Sequence, residues 1–338
     1  MKNIDWKSLG FAYMDTNCHV RYVWKNGKWD AGELVTSPYM SIHIAATALH
    51  YGQEAFEGLK AFCRKDGKVS LFRPQENAKR MQITARRTCM AEVPEDLFVD
   101  ACKRVAQANL EFVPPYGTGG SMYVRPLLFG SGAQIGVAPA DEYTFLVLVT
   151  PVGAYYKGGL QAVKAMVQDE YDRAAPRGTG HVKVGGNYAA GLYPHLEAKK
   201  LGYPVELYLD PKEHKWIEEF STSNFLAITK DGKYVTPKSS SILPSITNLT
   251  LRQLAQDAGI PVEVRPVAFA EVTDFAEVAA CGTAVVITPV YQIERAGQVY
   301  KTGPEGGCGP VLQKLYNAVQ GIQYGELPDV HGWNVEVE

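Results

Sequence analysis

The chain has no apolar run approaching the ~18 residues that a membrane-spanning helix needs. It has no charge excess either: 34 lysines and arginines meet 36 acids, for a net charge of −2. There is thus no basic stripe to track a nucleic-acid backbone and no polybasic segment for an anionic membrane. The six cysteines form no C-x-x-C pair. No H-E-x-x-H or clustered His/Cys spacing offers ligands to a metal. The N-terminal stretch "MKNIDWKSLGFAYMDTN" has no secretory apolar core, so scattered cysteines in a chain of 338 residues read as reduced thiols of a cytoplasmic protein. Two enzyme signatures also fail. "GSGAQIG" is one residue too long for G-x-G-x-x-G, and "GGSMY" does not complete the serine elbow G-x-S-x-G.

What is present is ordinary globular composition, 46% apolar and 21% charged, over a length that suits two domains. Asn26-Gly27 in "VRYVWKNGKW" and Asp66-Gly67 in "GLKAFCRKDGKVSLFRP" predict hairpins. "PQENAKRMQITARRTCMA" and "PEDLFVDACKRVAQANLEFV" predict helices, followed by strands "SMYVRPLLF" and "EYTFLVLVTPV". A Gly-rich connector over 151–160 separates domain 1–150 from domain 161–338. The second half predicts a strand at 161–168, a helix from Asn187 to Gly202, and the hairpin "VELYLDPKEHKWIEEF". Helix "ITNLTLRQLAQDAG", strands "VEVRPVAF" and "AVVITPVYQI", and a last helix "GPVLQKLYNAVQGIQYG" follow. Strands and helices do not alternate cleanly, so the fold class is α+β rather than a doubly wound sheet.

The stretch "GTGHVKVGGNYAAG" holds a lone lysine, Lys183, among glycines. Val182 and Val184 flank it, which rules out the Gly-Lys-Ser/Thr of a phosphate loop. Alone it reads as a surface lysine beside a turn. Its neighbours suggest more: Gly185 and Gly186 permit close approach to the backbone, Asn187 can cap a helix, and Tyr188 supplies a phenol. A desolvated amine becomes nucleophilic near neutral pH, as a Schiff-base lysine must be. In the pair Glu218-Glu219, adjacent strand residues face opposite ways, so at most one enters a site.

These residues sit within eight segments in fixed order: "LHYGQEAFEGLKAF", "LFRPQENAKRM", "SMYVRPLLFGSGAQIGV", "TPVGAYYKGG", "VKVGGNYAAGL", "IEEFSTSNF", "SSSILPSIT" and "CGTAVVITPV". Together they resemble the branched-chain amino-acid aminotransferases of pyridoxal-phosphate fold type IV, over nearly the whole chain. The resemblance implies a two-domain architecture with pyridoxal 5'-phosphate at the domain interface and Lys183 as its Schiff-base lysine. It implies Glu219 on the pyridine nitrogen, Tyr188 on the ring oxygen, and Arg80, the backbone of Ile246 and Thr247, and the Thr283 hydroxyl on the phosphate.

For substrates, the resemblance implies an apolar wall from Tyr13, Tyr51, Phe56, Tyr155 and Ala284. Tyr123 and the N–H groups of Thr283 and Ala284 would take the α-carboxylate, and Arg125 the distal carboxylate of glutamate. Ile135 and Val137 would reach a second subunit's pocket, making a homodimer. The implied reaction exchanges the amino group between leucine, isoleucine or valine and 2-oxoglutarate, without metal, nucleic acid or membrane. A D-amino-acid transaminase or an aminodeoxychorismate lyase of the same fold type is the alternative. Two departures stand out: Ser245 replaces a frequent glycine, and Val285 and Thr288 occupy the positions of a redox-active C-x-x-C.

Overall fold

The computed structural model describes residues 4–154 and 159–337. The chain divides into two compact units, Met1–Tyr155 with Val182–Gly185 and Gly321–Glu338, and Tyr156–His181 with Gly186–Gln320. This departs from the expected boundaries in two places. The lysine segment groups with the first unit instead of the second, and so does everything from Gly321 onward.

In the first unit Asn26 and Gly27 take φ of 53° and 80°. That is the backbone twist a two-residue hairpin turn requires. They join β1 (His19–Lys25) to β2 (Lys28–Trp29), with Trp24 opposite Trp29. β3 (Glu33–Val35), a short helix α1 (Thr47–Tyr51), β4 (Glu54–Phe56), β5 (Leu59–Cys63) and β6 (Val69–Phe72) follow. The Asp66-Gly67 turn joins β5 to β6 with Cys63 opposite Val69. Helices α2 (Pro74–Arg87) and α3 (Glu95–Gln107) then lead into the long strands β7 (Ser121–Gly130) and β8 (Glu142–Val152). β8 therefore claims Pro151 and Val152, the first residues of the expected connector.

Met81, Ala85, Phe98, Ala101 and Val105 lie on one stripe of each helix. They pack on Met122, Val124, Phe145 and Val147 in one buried cluster. Each fully buried Met, Phe or Val side chain among them contributes roughly 1.5–3 kcal/mol. Alternation along β7 turns Tyr123 and Arg125 to the other face, opposite Thr150 and Leu148 of β8. The helices thus leave that face open for chemistry.

The second unit contains β9 (Val163–Gln168), α4 (Gly185–Ala189), α5 (Leu192–Lys200), β10 (Val205–Leu209), β11 (Ile217–Phe220), β12 (Ser223–Thr229) and β13 (Tyr234–Pro237). After them come α6 (Ile246–Asp257), β14 (Val262–Arg265), β15 (Phe275–Gly282), β16 (Val286–Arg295), β17 (Gln298–Lys301) and α7 (Pro310–Gln323). The order β11-β10-β9-β16-β15-β12 closes on itself because β12 also pairs with β11. Closure satisfies the edge strands and encloses Phe220, Phe225, Val278 and Ile293 in a second core. The last strand, β18 (Asn334–Glu336), pairs with β6 in the sheet of the first unit.

The helix expected from Asn187 to Gly202 is two pieces. Pro194 has no N–H to offer the Ala190 carbonyl, so the chain breaks between α4 and α5. Asn187 lies inside α4 and does not cap it. Its amide instead donates to the Thr179 carbonyl at 2.7 Å, and its carbonyl oxygen accepts from the Thr179 hydroxyl at 2.8 Å.

Candidate active site

Local packing explains why one lysine sits in a bare stretch of backbone. Val182 and Val184 are buried, 1% and 7% exposed, while Lys183 between them is half-buried. The Lys183 N–H donates to Thr84 Oγ1 of α2 at 3.1 Å, and its carbonyl accepts from the Phe56 N–H at 3.2 Å. The amine lies 4.5 Å from the Phe56 ring centroid, where the ring face favours a cation. Backbone and side chain are both held.

Around this lysine the first unit gathers Phe56, Tyr123 and Arg125. The Arg125 guanidinium lies 5.0 Å from the Phe56 centroid and donates to the Tyr123 hydroxyl at 3.0 Å. Gly58 makes room for that phenol: a Cβ there would sit 2.0 Å from Tyr123 Oη. Arg80, which reads in isolation as a helix-surface residue, is 8% exposed. Its Nε and Nη2 donate to Glu57 at 2.8 and 2.7 Å, and Asn77 donates to the same carboxylate at 2.8 Å. The Tyr51 hydroxyl donates to the Ile135 carbonyl. Ile135 and Val137 stand out at 71% and 90% exposed. Tyr13, 61% exposed, lines a cavity of about 320 Å³ with Asp15, His19 and Leu148. Tyr155 lies outside the described residues.

In the second unit Glu219 is buried at the end of β11. Oε1 accepts from the Leu243 N–H at 2.9 Å and pairs with Arg173 at 3.0 Å, and Oε2 accepts from Asn224 at 3.1 Å. Burial pushes its pKa up to about 7 from 4.5, while Arg173 and the two hydrogen bonds hold it down. Asn224 is oriented in turn by Asn248, which meets the Tyr234 hydroxyl at 2.8 Å. Glu218, on the opposite face of the strand, would read as an exposed strand glutamate; it is instead 3% exposed, because the Ser239–Leu243 stretch covers that side of the strand end.

That stretch runs directly into α6. Ser245 caps the helix by accepting from the Asn248 N–H at 3.2 Å, so it serves well where a glycine was the frequent choice. Ile246 and Thr247 form the first turn, whose N–H groups suit an anion. Thr283 and Ala284 lie in the tight turn between β15 and β16, closed by Val286 at φ 66°. Tyr188 is half-buried on α4.

Glu57, Arg173 and Asn224 are not marked by the sequence alone. Glu57 and Asn224 lie inside recognisable segments, but nothing in their spacing marks them as buried partners. Arg173 falls in a stretch with no pattern at all.

Comparison with known proteins adds an independent line. The model of the amino-transferase class IV family matches residues 54–293. The chain is similar to the branched-chain-amino-acid aminotransferase of Haemophilus influenzae, with 50% identity over 344 residues and 100% of both chains covered. It is 44% identical to that of Helicobacter pylori over 339 residues, covering 100% of this chain and 99% of the relative. The solved structure of the Escherichia coli branched-chain amino acid aminotransferase superposes with a TM-score of 0.77 at 30% identity, covering 94% of this chain and 99% of that one. With its family segments in order from β4 to β16 and its relatives matched end to end, the chain belongs to the class IV aminotransferases.

Proposed function

We propose that this aminotransferase uses pyridoxal phosphate to exchange the amino group between branched-chain L-amino acids and 2-oxoglutarate, as a cytoplasmic homodimer. The observation that carries the reading is the seating of Lys183: a single amine over an aromatic face, its backbone pinned on both sides. The names of the relatives at 50% and 44% identity support the substrate class. All six cysteines are free, which suits a reducing compartment. No described helix is long and apolar enough to cross a membrane. The exposed apolar tips Ile135 and Val137 support a second subunit packing there.

Each unit carries donors of the kind this cofactor needs. Arg80, Thr283 and the first turn of α6 would hold its phosphate, Tyr188 its ring oxygen, and Glu219 a proton on its ring nitrogen. When bound, the cofactor supplies an electron sink and carries the amino group between half-reactions. Lys183 Nζ would take and return a proton at the substrate Cα, as general base and acid. Tyr123 and the N–H groups of Thr283 and Ala284 orient the α-carboxylate. Arg125 receives glutamate's distal carboxylate, and Tyr13, Tyr51 and Phe56 give leucine, isoleucine or valine an apolar wall.

The test is the visible absorption of the protein reconstituted with pyridoxal phosphate, beside Lys183→Ala. Leucine should bleach the band, 2-oxoglutarate should restore it, and the variant should do neither. A band indifferent to leucine overturns the substrate and favours a D-amino-acid transaminase or a lyase of this fold type. No band in the unmodified protein overturns the role of Lys183.

A further inference from the structure

Glu218 is a buried carboxylate with no part in the chemistry above. Its Oε1 accepts from the Ser239 hydroxyl at 2.9 Å and from the Ser241 hydroxyl. The two hydroxyls are 2.9 Å apart, and the Ser241 N–H donates to Ser239 Oγ at 3.2 Å. The stretch they anchor then serves Glu219. The Ser241 carbonyl accepts from Arg173 Nη1 at 3.1 Å, while Arg173 Nη2 pairs with Glu219. The Leu243 N–H donates to Glu219 Oε1 at 2.9 Å, and the Leu243 carbonyl accepts from the same Asn224 amide that reaches Oε2. Glu218 and Glu219 leave opposite faces of β11, so this stretch of chain is what links them.

We propose that Glu218 is a positioning residue for Glu219, acting through Ser239, Ser241 and the Ser239–Leu243 segment. Among the described residues, three charged or titratable groups surround Glu219: Arg173, Glu218, and the Cys281 thiol on β15, which burial keeps protonated. Glu218 acts on Glu219 in two opposed ways. Its charge raises the neighbour's pKa, whereas the contacts it organises, an N–H and a guanidinium, lower it.

That opposition gives the test. The proposal takes its functional meaning from the reading of Glu219 as partner of the ring nitrogen, yet ionisation of Glu219 can be followed without cofactor. The probe is the ¹³C-carboxyl titration of Glu219 in the full-length cofactor-free protein, assigned by its loss in Glu219→Gln. The double variant Ser239→Ala/Ser241→Ala changes no charge. It should raise the Glu219 midpoint by ~0.5–1 unit as the clamp loosens. Glu218→Ala should raise it too, and Glu218→Gln, which keeps an acceptor for both hydroxyls, should leave it at or below the unmodified value. In the loaded protein the same variants should move the pH midpoint of cofactor absorption in the same direction. An unchanged midpoint in the double serine variant overturns the proposal, as does a fall in Glu218→Ala matching that in Glu218→Gln. If the unmodified protein binds no pyridoxal phosphate, the functional reading fails while the titration still decides the role of Glu218.

Discussion

The carboxylate of Glu57 grips the guanidinium of Arg80 at two points, Nε at 2.8 Å and Nη2 at 2.7 Å, with both side chains buried. Such a pair is costly to break from one side, because the survivor is a buried charge without its counterion. Glu57→Ala should cost about 3–5 kcal/mol in the urea unfolding of the cofactor-free protein. It should also weaken pyridoxal-phosphate binding, read by fluorescence titration, because Arg80 loses the partner that fixes its plane. Binding at full strength would show that Arg80 needs no such support.

Gly58→Ala isolates a steric requirement. The new Cβ would meet Tyr123 Oη at 2.0 Å and Cζ at 2.8 Å. The ring must shift to make room, against Phe11, which stands edge-on to it at 4.9 Å. If Tyr123 orients the substrate as proposed, a displacement of about 1 Å costs ~10²-fold. We expect kcat/KM to fall by that order, with a melting temperature close to the unmodified value.

Arg125→Met should separate the two substrates. The guanidinium is stacked on Phe56 and bonded to Tyr123, and its Nε is buried without a partner. Loss of a charge-assisted hydrogen bond is worth ~1.5–3 kcal/mol. Steady-state kinetics should show KM for glutamate rising ~10–100-fold. KM for leucine should move little, because leucine has no distal carboxylate. Equal changes for both would remove Arg125 from specificity.

Glu219 makes a prediction about pH. Its folded-state pKa of about 7 lies above the ordinary 4.5. The folded protein therefore holds this proton more tightly than the unfolded chain does. That stabilisation is complete below pH 4.5 and is lost as pH rises through about 7. Over this window the cofactor-free protein should lose up to about 3 kcal/mol through this residue. Glu219→Gln should flatten the profile of unfolding free energy against pH, measured by denaturant titration at pH 5, 6, 7 and 8. A variant profile parallel to the original would show that Glu219 ionises freely.

Parts of the fold were legible where local chemistry has one reading. Asn26-Gly27 and Asp66-Gly67 turn where they must, because few other dipeptides accept those backbone angles. Helices α2 and α3 follow from apolar residues at helical spacing. Pro194 was readable in principle as a break, but the continuous pattern of "NYAAGLYPHLEAKKLG" masked it. The lysine, glutamate and arginine of the site were legible only as family positions. What surrounds them was not: Thr84 under Lys183, Glu57 on Arg80 and Arg173 on Glu219 lie 99, 23 and 46 positions away in the chain. Pairings at that separation come from the closure of sheets. Glu218 shows the same limit from the other side, since alternation gives its direction but not what covers it.

The pairing of β18 with β6 also bears on how the protein is made. Asn334 lies against Phe72, and Glu336 against Ser70, so this sheet stays incomplete until residues far along the chain emerge from the ribosome. The segment carrying Lys183 joins that sheet's unit in between. During synthesis β6 is an uncovered edge for roughly 260 residues, at a rate of about 5–20 residues per second, and an open edge is a template for wrong partners. The first unit is begun early and finished late, and its exposed strand is where a chaperone would be most useful.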